Sequence, residues 1–295
     1  MEFLRPYFRY IPYAIFSGLI LCAVGVWVVV IAETPSGHVK VAMLNVGMGD
    51  SIYIESPTGE RVLIDSGPDD SVLRALPKVM PFLSHSLDAV IETHPDSDHI
   101  SGFVDLLKRY HVGAFIEPGI IKDSKTAQTL ESEILDEHIP RYIARRGEVV
   151  DLGGGAELQI LYPDHDVSHI NQNIDNDGGV VTRLVYGSTS VLLMADVSQG
   201  VESQIIADSA SSTSELTSDI LKVGHHGSKT STSEALLNLV RPQVALISVG
   251  AHNMYHLPTQ DTLDRLDAAG VEVLRTDQVG TIEFASDGTH FRRIR

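Results

Sequence analysis

The sequence predicts an α/β protein: two sheets packed face to face under outer helices, an αββα sandwich, preceded by one transmembrane helix. Three observations predict it. Tyr13 to Ala32 runs twenty residues without a charge, enough to cross a bilayer as a helix. Behind it come two runs of segments, each with antiparallel strand patterns followed by helical ones, which is how layered sheets covered by helices read. Finally, acids and imidazoles stand just past apolar strands, above all in Thr93-His94-Pro95-Asp96-Ser97-Asp98-His99, and layered sheets build sites at strand ends.

The elements follow in order. After the apolar run, Val39 to Val46 and Ser51 to Ser56 read as strands joined by the glycine turn Gly47-Met48-Gly49. Arg61 to Asp65 is a third strand, entered through Pro57-Thr58-Gly59. Asp70 to Phe82 has a helical pattern that Pro77 must kink or split. A strand from Asp88 to Glu92, the acid-rich loop, a helix from about Ile100 to Tyr110, a strand at Val112 to Glu117 and a polar helix at Lys125 to His138 complete the first half. The second half has strands at Glu157–Leu161, Val180–Tyr186 and Val191–Ala195, a helix at Gln199–Asp208 and a serine-rich loop at 209–214. Strand and helix then alternate through Asp219–Val223, Ser231–Val240, Val244–Val249, Thr259–Ala269 and Val271–Thr276. No internal repeat or low-complexity tract interrupts the pattern.

The domain reading is a cytoplasmic N-terminus over 1–12, a membrane anchor over 13–32, a linker over 33–38 and one hydrolase-sized domain over 39–295. Arg5 and Arg9 precede the apolar run and Glu33 follows it, which leaves the N-terminus cytoplasmic and the domain outside. Val30 and Ala32 offer a small-residue cleavage site, so a signal peptide is the competing reading, and both readings export the domain. The lone Cys22 lies inside the apolar run, so the domain has neither a disulfide framework nor a cysteine metal site. With 39 Asp and Glu against 22 Lys and Arg, the chain lacks the charge balance of a protein that grips nucleic acid by a broad basic face.

Two carboxylates and two imidazoles on one short loop repel or desolvate one another without a counter-charge, and divalent cations prefer these donors. The bland alternative is a polar loop whose histidines cap the next helix. Two further strand ends argue against it: Asp196 closes the apolar run Ser190 to Ala195, and His225 and His226 follow Ile220 to Gly224. His85, His111, His138 and His290 lie near element ends without partner motifs and read as surface residues, as does Asp164-His165-Asp166.

His94-x-Asp96-x-Asp98-His99 resembles the His-x-His-x-Asp-His signature of the metallo-β-lactamase superfamily. Within it, Asn45-Val46-Gly47-Met48-Gly49-Asp50-Ser51 and Leu221-Lys222-Val223-Gly224-His225-His226-Gly227-Ser228-Lys229 are similar to the lactamase-like domain of ComEC-type DNA-uptake proteins, over about Val39 to Ile294. The resemblance implies a metallo-β-lactamase sandwich and two divalent ions, Mn2+ or Zn2+. Their ligands would be His94, Asp96, Asp98, His99, Asp196 and His225, with Asp65 and Asp50 behind them. Which of His225 and His226 ligates stays open. Asp98 would also serve catalysis. His226, and less directly His256, would protonate a leaving oxygen, and Ser228, Lys229 and Asn253 would bind substrate. Asp96, where many relatives have histidine, makes one site harder and tilts it toward manganese. The superfamily's histidine between loop and Asp196 has its slot near Asn173 to Asp177, with His169 as a poor substitute.

What the resemblance implies is an extracytoplasmic two-metal phosphodiesterase, a nuclease on single-stranded DNA working with a separate uptake channel. A hydrolase of a small or cell-envelope phosphoester is the alternative. A non-catalytic metal-binding module of an uptake assembly is another, motivated by departures from the family pattern at Asn45, Met48, Gly179, Ala195 and His256.

Overall fold

The computed structural model describes residues 10–171, 175–209 and 215–295. Its residues group into two compact units, one holding the chain up to Thr34 with Met80–Ser84, the other Pro35–Val79 with His85–Arg295. In the first, helix α1 spans Ile11–Glu33; its segment Ile11–Val30 is long and apolar enough to cross a membrane. Residues 1–9, 172–174 and 210–214, which include Arg5, Arg9 and the Asn173 slot, lie outside the described residues.

The second unit opens with β1 (Val39–Met43), β2 (Ile52–Glu55) and β3 (Arg61–Ile64), then a short α2 (Ser71–Ala75). The helix expected over Asp70 to Phe82 is thus broken: Pro77 lacks the N–H to continue an α-helix, and Leu76–Lys78 close as a 3-10 turn. Next come β4 (Ser86–Leu87), β5 (Ala89–Ile91) and α3 (Ser97–Leu106). β6 (His111–Val112), β7 (Phe115–Glu117), α4 (Lys125–Asp136) and the unforeseen β8 (Arg141–Ile143) end this half. The second half holds β9 (Val149–Asp151), β10 (Ala156–Tyr162), β11 (Val181–Tyr186), β12 (Thr189–Leu193) and α5 (Gln199–Asp208). It continues with β13 (Ile220–Lys222), α6 (Glu234–Val240), β14 (Val244–Ile247), α7 (Gln260–Ala268) and β15 (Glu272–Arg275). A short α8 (Thr276–Val279) leads to β16 (Ile282–Ser286) and β17 (Phe291–Arg293).

Among the described residues, one sheet has the order β17-β16-β1-β2-β3-β5-β7-β8 and the other β15-β14-β13-β12-β11-β10-β9. The core between them gathers Val41, Ile54, Ile64, Ile91, Leu158, Leu184, Leu193 and Ile282, contributed by both sheets. A second apolar layer, with Leu221, Leu236, Val240 and Leu266, lies where α5, α6 and α7 cover the outer face. This is the expected sandwich. What it does for the site is topological. β3, β5, β7 and β8 run parallel in one sheet and β12 to β15 in the other. Their carboxyl ends carry the predicted acids and histidines, which is where such sheets place ligands.

Candidate metal centre

β3 ends at Asp65, β5 at the loop Thr93 to Asp96, β12 at Asp196 and β13 at His225-His226. Asp65, Ala195, His225 and His226 all take positive φ, between 47° and 57°, a conformation that costs a non-glycine residue about 1–3 kcal/mol. The chain turns sharply at each strand end, and the strain sits where the polar groups gather. Gly49 permits one close approach: a Cβ there would overlap the carbonyl of Asp98, to which the Asp50 N–H donates at 3.3 Å.

The helix-capping reading of the loop fails on geometry. α3 begins at Ser97, so Asp98 and His99 lie in its first turn, and Asp96 at the N-cap makes no side-chain capping bond. Instead one Asp96 oxygen pairs with Lys122 and the other lies 3.7 Å from His94 Nε2.

Three imidazoles are turned the same way. His99 Nδ1 is 2.7 Å from Asp65 Oδ2, and His226 Nδ1 is 3.0 Å from the carbonyl of Ser248. The Thr93 hydroxyl donates to Asp65 Oδ2 at 2.7 Å, so it accepts from His94 Nδ1 at 3.0 Å. An acceptor behind each ring fixes the proton on Nδ1 and leaves the lone pair on Nε2. Those lone pairs face carboxylate oxygens: Asp196 Oδ2 is 3.4 Å from His99 Nε2 and 3.2 Å from His226 Nε2, and Asp98 Oδ2 is 3.3 Å from the latter. The Nε2 atoms of His94 and His99 are buried without a hydrogen-bond partner. Lone pair against carboxylate is stable only around a cation, so the donor set fits divalent metal. His94, His99 and Asp196 form one cluster of metal-holding geometry, and Asp98, His99 and His226 another.

The electrostatics agree. Burial is the largest influence on His99 and His226 and disfavours their charge, but the surrounding carboxylates together outweigh it, Asp196 first at both rings, then Asp65 and Asp98 at His99 and Asp50 at His226; both are held well above the ordinary histidine value. A field that favours a proton at Nε2 favours a metal ion there too. Burial, reinforced by His99, pushes His94 down. Asp98 resists its own burial, because His99 and His226 hold its carboxyl below the usual range.

The sequence expectations fare unevenly. His94, Asp96, Asp98, His99 and Asp196 come together, with Asp65 behind His99. His226 rather than His225 completes the cluster: the ring of His225 is 37% exposed, with Nε2 4.0 Å from Asp196 Oδ2. The proton-donor role expected of His226 therefore falls to a residue built into the cluster. Asp50 pairs with Lys222 and reaches His226 only at 3.5 Å. Ser228 bonds Thr230, Lys229 is exposed, and Asn253 spends its amide on the backbone of Gly250 and Leu257. His256 and His169 are exposed and belong to no cluster, as are His85, His111, His138, His165 and His290.

Lys122 and Lys222 were not foreseen as site residues. Lys222 is fully buried and satisfies all three N–H groups, on Asp50, on Asp196 Oδ1 at 3.1 Å and on the carbonyl of Ala195 at 2.7 Å. A single charge inside the apolar strand Ile220–Val223 was the available signal, since a buried ammonium demands partners.

A two-sheet sandwich with a histidine–aspartate cluster across its parallel-strand ends defines the class of metallohydrolases. Within that class the chain belongs to the metallo-beta-lactamase superfamily, whose family model matches residues 44–252. It is 31% identical over 282 residues to ComE operon protein 3 of Bacillus subtilis, covering 90% of this chain and 35% of the relative. It is 28% identical over 269 residues to competence protein ComA of Neisseria gonorrhoeae, covering 88% of this chain and 34% of the relative. The chain thus spans about a third of the length of the curated relatives it matches. Among solved structures, the metallo-beta-lactamase fold protein YhfI of Bacillus subtilis superposes with TM-score 0.56 at 15% identity, covering 84% of this chain and all of that one.

Proposed function

We propose that the protein is a two-metal phosphodiesterase that cleaves DNA during its uptake, held at the outer face of the membrane by α1. The observation that carries the hydrolase reading is the convergence of the Nε2 atoms of His99 and His226 on the oxygens of Asp98 and Asp196, with His94 in the same cluster. Asp96, Asp98 and Asp196 make an oxygen-rich donor set, which suits manganese before zinc and a phosphoryl group before an amide carbonyl. The names of the relatives, competence proteins, support DNA as the substrate.

His94, Asp96, Asp98, His99, Asp196 and His226 would hold the ions, which when bound lower the pKa of a water and take up charge on the phosphoryl oxygens. Asp65 and the Ser248 carbonyl keep the rings of His99 and His226 aimed. Lys122, at the lip of the cluster on Asp96, would hold a non-bridging phosphate oxygen. His225, half-exposed beside Asp196, would give the proton from Nε2 to the leaving oxygen. Asp50 supports Asp196 indirectly, through Lys222.

The test uses the chain of residues 1–295 in detergent, stripped of metal and reloaded with Mn2+ or Zn2+, on labelled single-stranded DNA and on a chromogenic phosphodiester. Manganese-dependent cutting of DNA that Asp98→Ala abolishes is the expected result. Turnover of the small diester without DNA cutting would move the reading to a small or cell-envelope phosphoester. Stoichiometric metal without turnover of either would leave a binding module.

A further inference from the structure

The loop joining β14 to α7, residues 248–259, stands on the metal centre at both ends. β14 runs parallel to β13, so its carboxyl end opens beside the turn that carries His225 and His226. At the first end, the Ser248 carbonyl backs His226 Nδ1, and the Ser248 hydroxyl donates to the Gly49 carbonyl at 2.6 Å. Gly250 lies so close to the Gly47–Met48 backbone that a Cβ would come within 3.1 Å of the Met48 nitrogen. At the second end, the Thr259 N–H donates to the Gly227 carbonyl at 2.9 Å, and a Cβ on Gly227 would overlap Pro258.

Between these ends Asn253 braces the loop. Its side-chain amide donates to the carbonyls of Gly250 and Leu257 at 2.9 and 2.8 Å, and its side-chain oxygen accepts from the Leu257 N–H at 2.9 Å. On this fixed backbone Met254 is 82% exposed and Tyr255 65%, with His252 and His256 exposed on either side. Among the described residues no ring contact or side-chain hydrogen bond engages Tyr255. A single exposed apolar side chain is ordinary. Two in succession, on a braced turn beside a site, mark a binding surface.

The charge pattern says what would bind there. The chain carries net −17, yet 44–49, 223–231 and 242–260, the segments that meet here, hold no Asp or Glu and one lysine, Lys229. A polyanion meets no repulsion from them, but it finds no row of cations to grip its phosphates either. Affinity must then come from the bases. In a duplex the bases cover one another's faces; in a single strand those faces are open, and any base can lie on an aromatic ring. We propose that Tyr255 is the residue that selects single-stranded substrate, by stacking an unpaired base next to the phosphate at the metal centre, with Met254 extending the apolar surface. This role rests on the phosphodiesterase reading, whereas the stacking contact itself can be measured without turnover.

The test compares the chain of residues 1–295 with its Tyr255→Ala and Tyr255→Phe variants, in detergent with Mn2+. The substrates are a labelled single-stranded oligonucleotide, an abasic strand of equal length and the chromogenic phosphodiester. Loss of one stacked base corresponds to about 5–150-fold in affinity. Tyr255→Ala should therefore raise KM for the single strand at least fivefold more than KM for the chromogenic diester, with kcat on the strand little changed. Tyr255→Phe should restore KM, and the abasic strand should not distinguish the variants. An unchanged KM in Tyr255→Ala, a Phe variant no better than Ala, or an equal shift on the abasic strand would overturn the proposal. Fluorescence anisotropy of the labelled strands on the metal-free chains reads the same contrast as Kd. If the native chain turns over no diester, the phosphodiesterase reading falls, and the base dependence of Kd still decides the stacking.

Discussion

At the scale of single residues, His225 and His226 are the sharpest case. They are the same side chain at adjacent positions with nearly the same backbone, φ 48° and 51°. Yet one ring is buried on the Ser248 carbonyl and the other stands half-exposed. No local pattern separates them; the choice is made by β14, which brings Ser248 behind His226. After dialysis His226→Ala should lose bound metal while His225→Ala keeps it, as metal analysis of the two purified variants will report. Asp65→Asn places an amide against His99 Nδ1 and disturbs the tautomer that frees Nε2; metal affinity should fall about 10–100-fold, read by titration. The loop, Asp65 and Asp196 were legible because acids and imidazoles at strand ends are conspicuous. Lys122 was not, because the sequence gives no sign that a lysine 26 positions past Asp96 folds back onto it.

At the scale of elements, the long strands and helices announced themselves by periodicity, and Pro77 marked where a helix must stop. β8 did not, because all three of its residues are exposed on a sheet edge. β16 alternates buried and half-buried residues, a readable signal, but its partner β1 lies at the far end of the domain, and no local pattern carries that pairing. The segment bearing His226 is pinned at a distance by α5. Glu202 on that helix is fully buried and accepts from the backbone N–H groups of Thr232 and Ser233, the latter at 2.8 Å. Burial raises its pKa above the ordinary 4.5, against those hydrogen bonds. A carboxyl raised in the folded state binds its proton more tightly there than in the unfolded chain. Its stabilisation is complete below about pH 4.5 and is lost as pH rises through the raised value. Glu202→Gln, which removes one acceptor oxygen, should therefore lower the Tm most near pH 5 and less near pH 8, by thermal scans at both.

At the scale of the whole molecule, the site joins the ends of two sheets whose shared core is apolar, with polar contacts such as the Thr189–Ser286 hydroxyl pair at 2.7 Å between them. Ligands from β5 and α3 face ligands from β12 and β13, so metal binds the folded arrangement and not the unfolded chain. Linkage then gives about 2.7 kcal/mol of added stability at a metal concentration 100 times the Kd, or about 5–10 °C in Tm for a domain of this size. Manganese titration followed by differential scanning calorimetry checks this, and chelation should reverse it. The acidic surface, net −17, has the same sense: each ion bound relieves charge locally without creating a basic face.

Lys222 supplies part of the site's counter-charge from within the fold. Its ammonium lies between Asp50 and Asp196, so two of the most deeply buried acids are neutralised by the polypeptide itself. Zinc fingers collapse on chelation because nothing but the ion holds their ligands together. Here a covalently attached cation shares that task at Asp50 and Asp196. A chain so equipped is expected to keep its fold when its ions are chelated, which circular dichroism of the protein in EDTA will report.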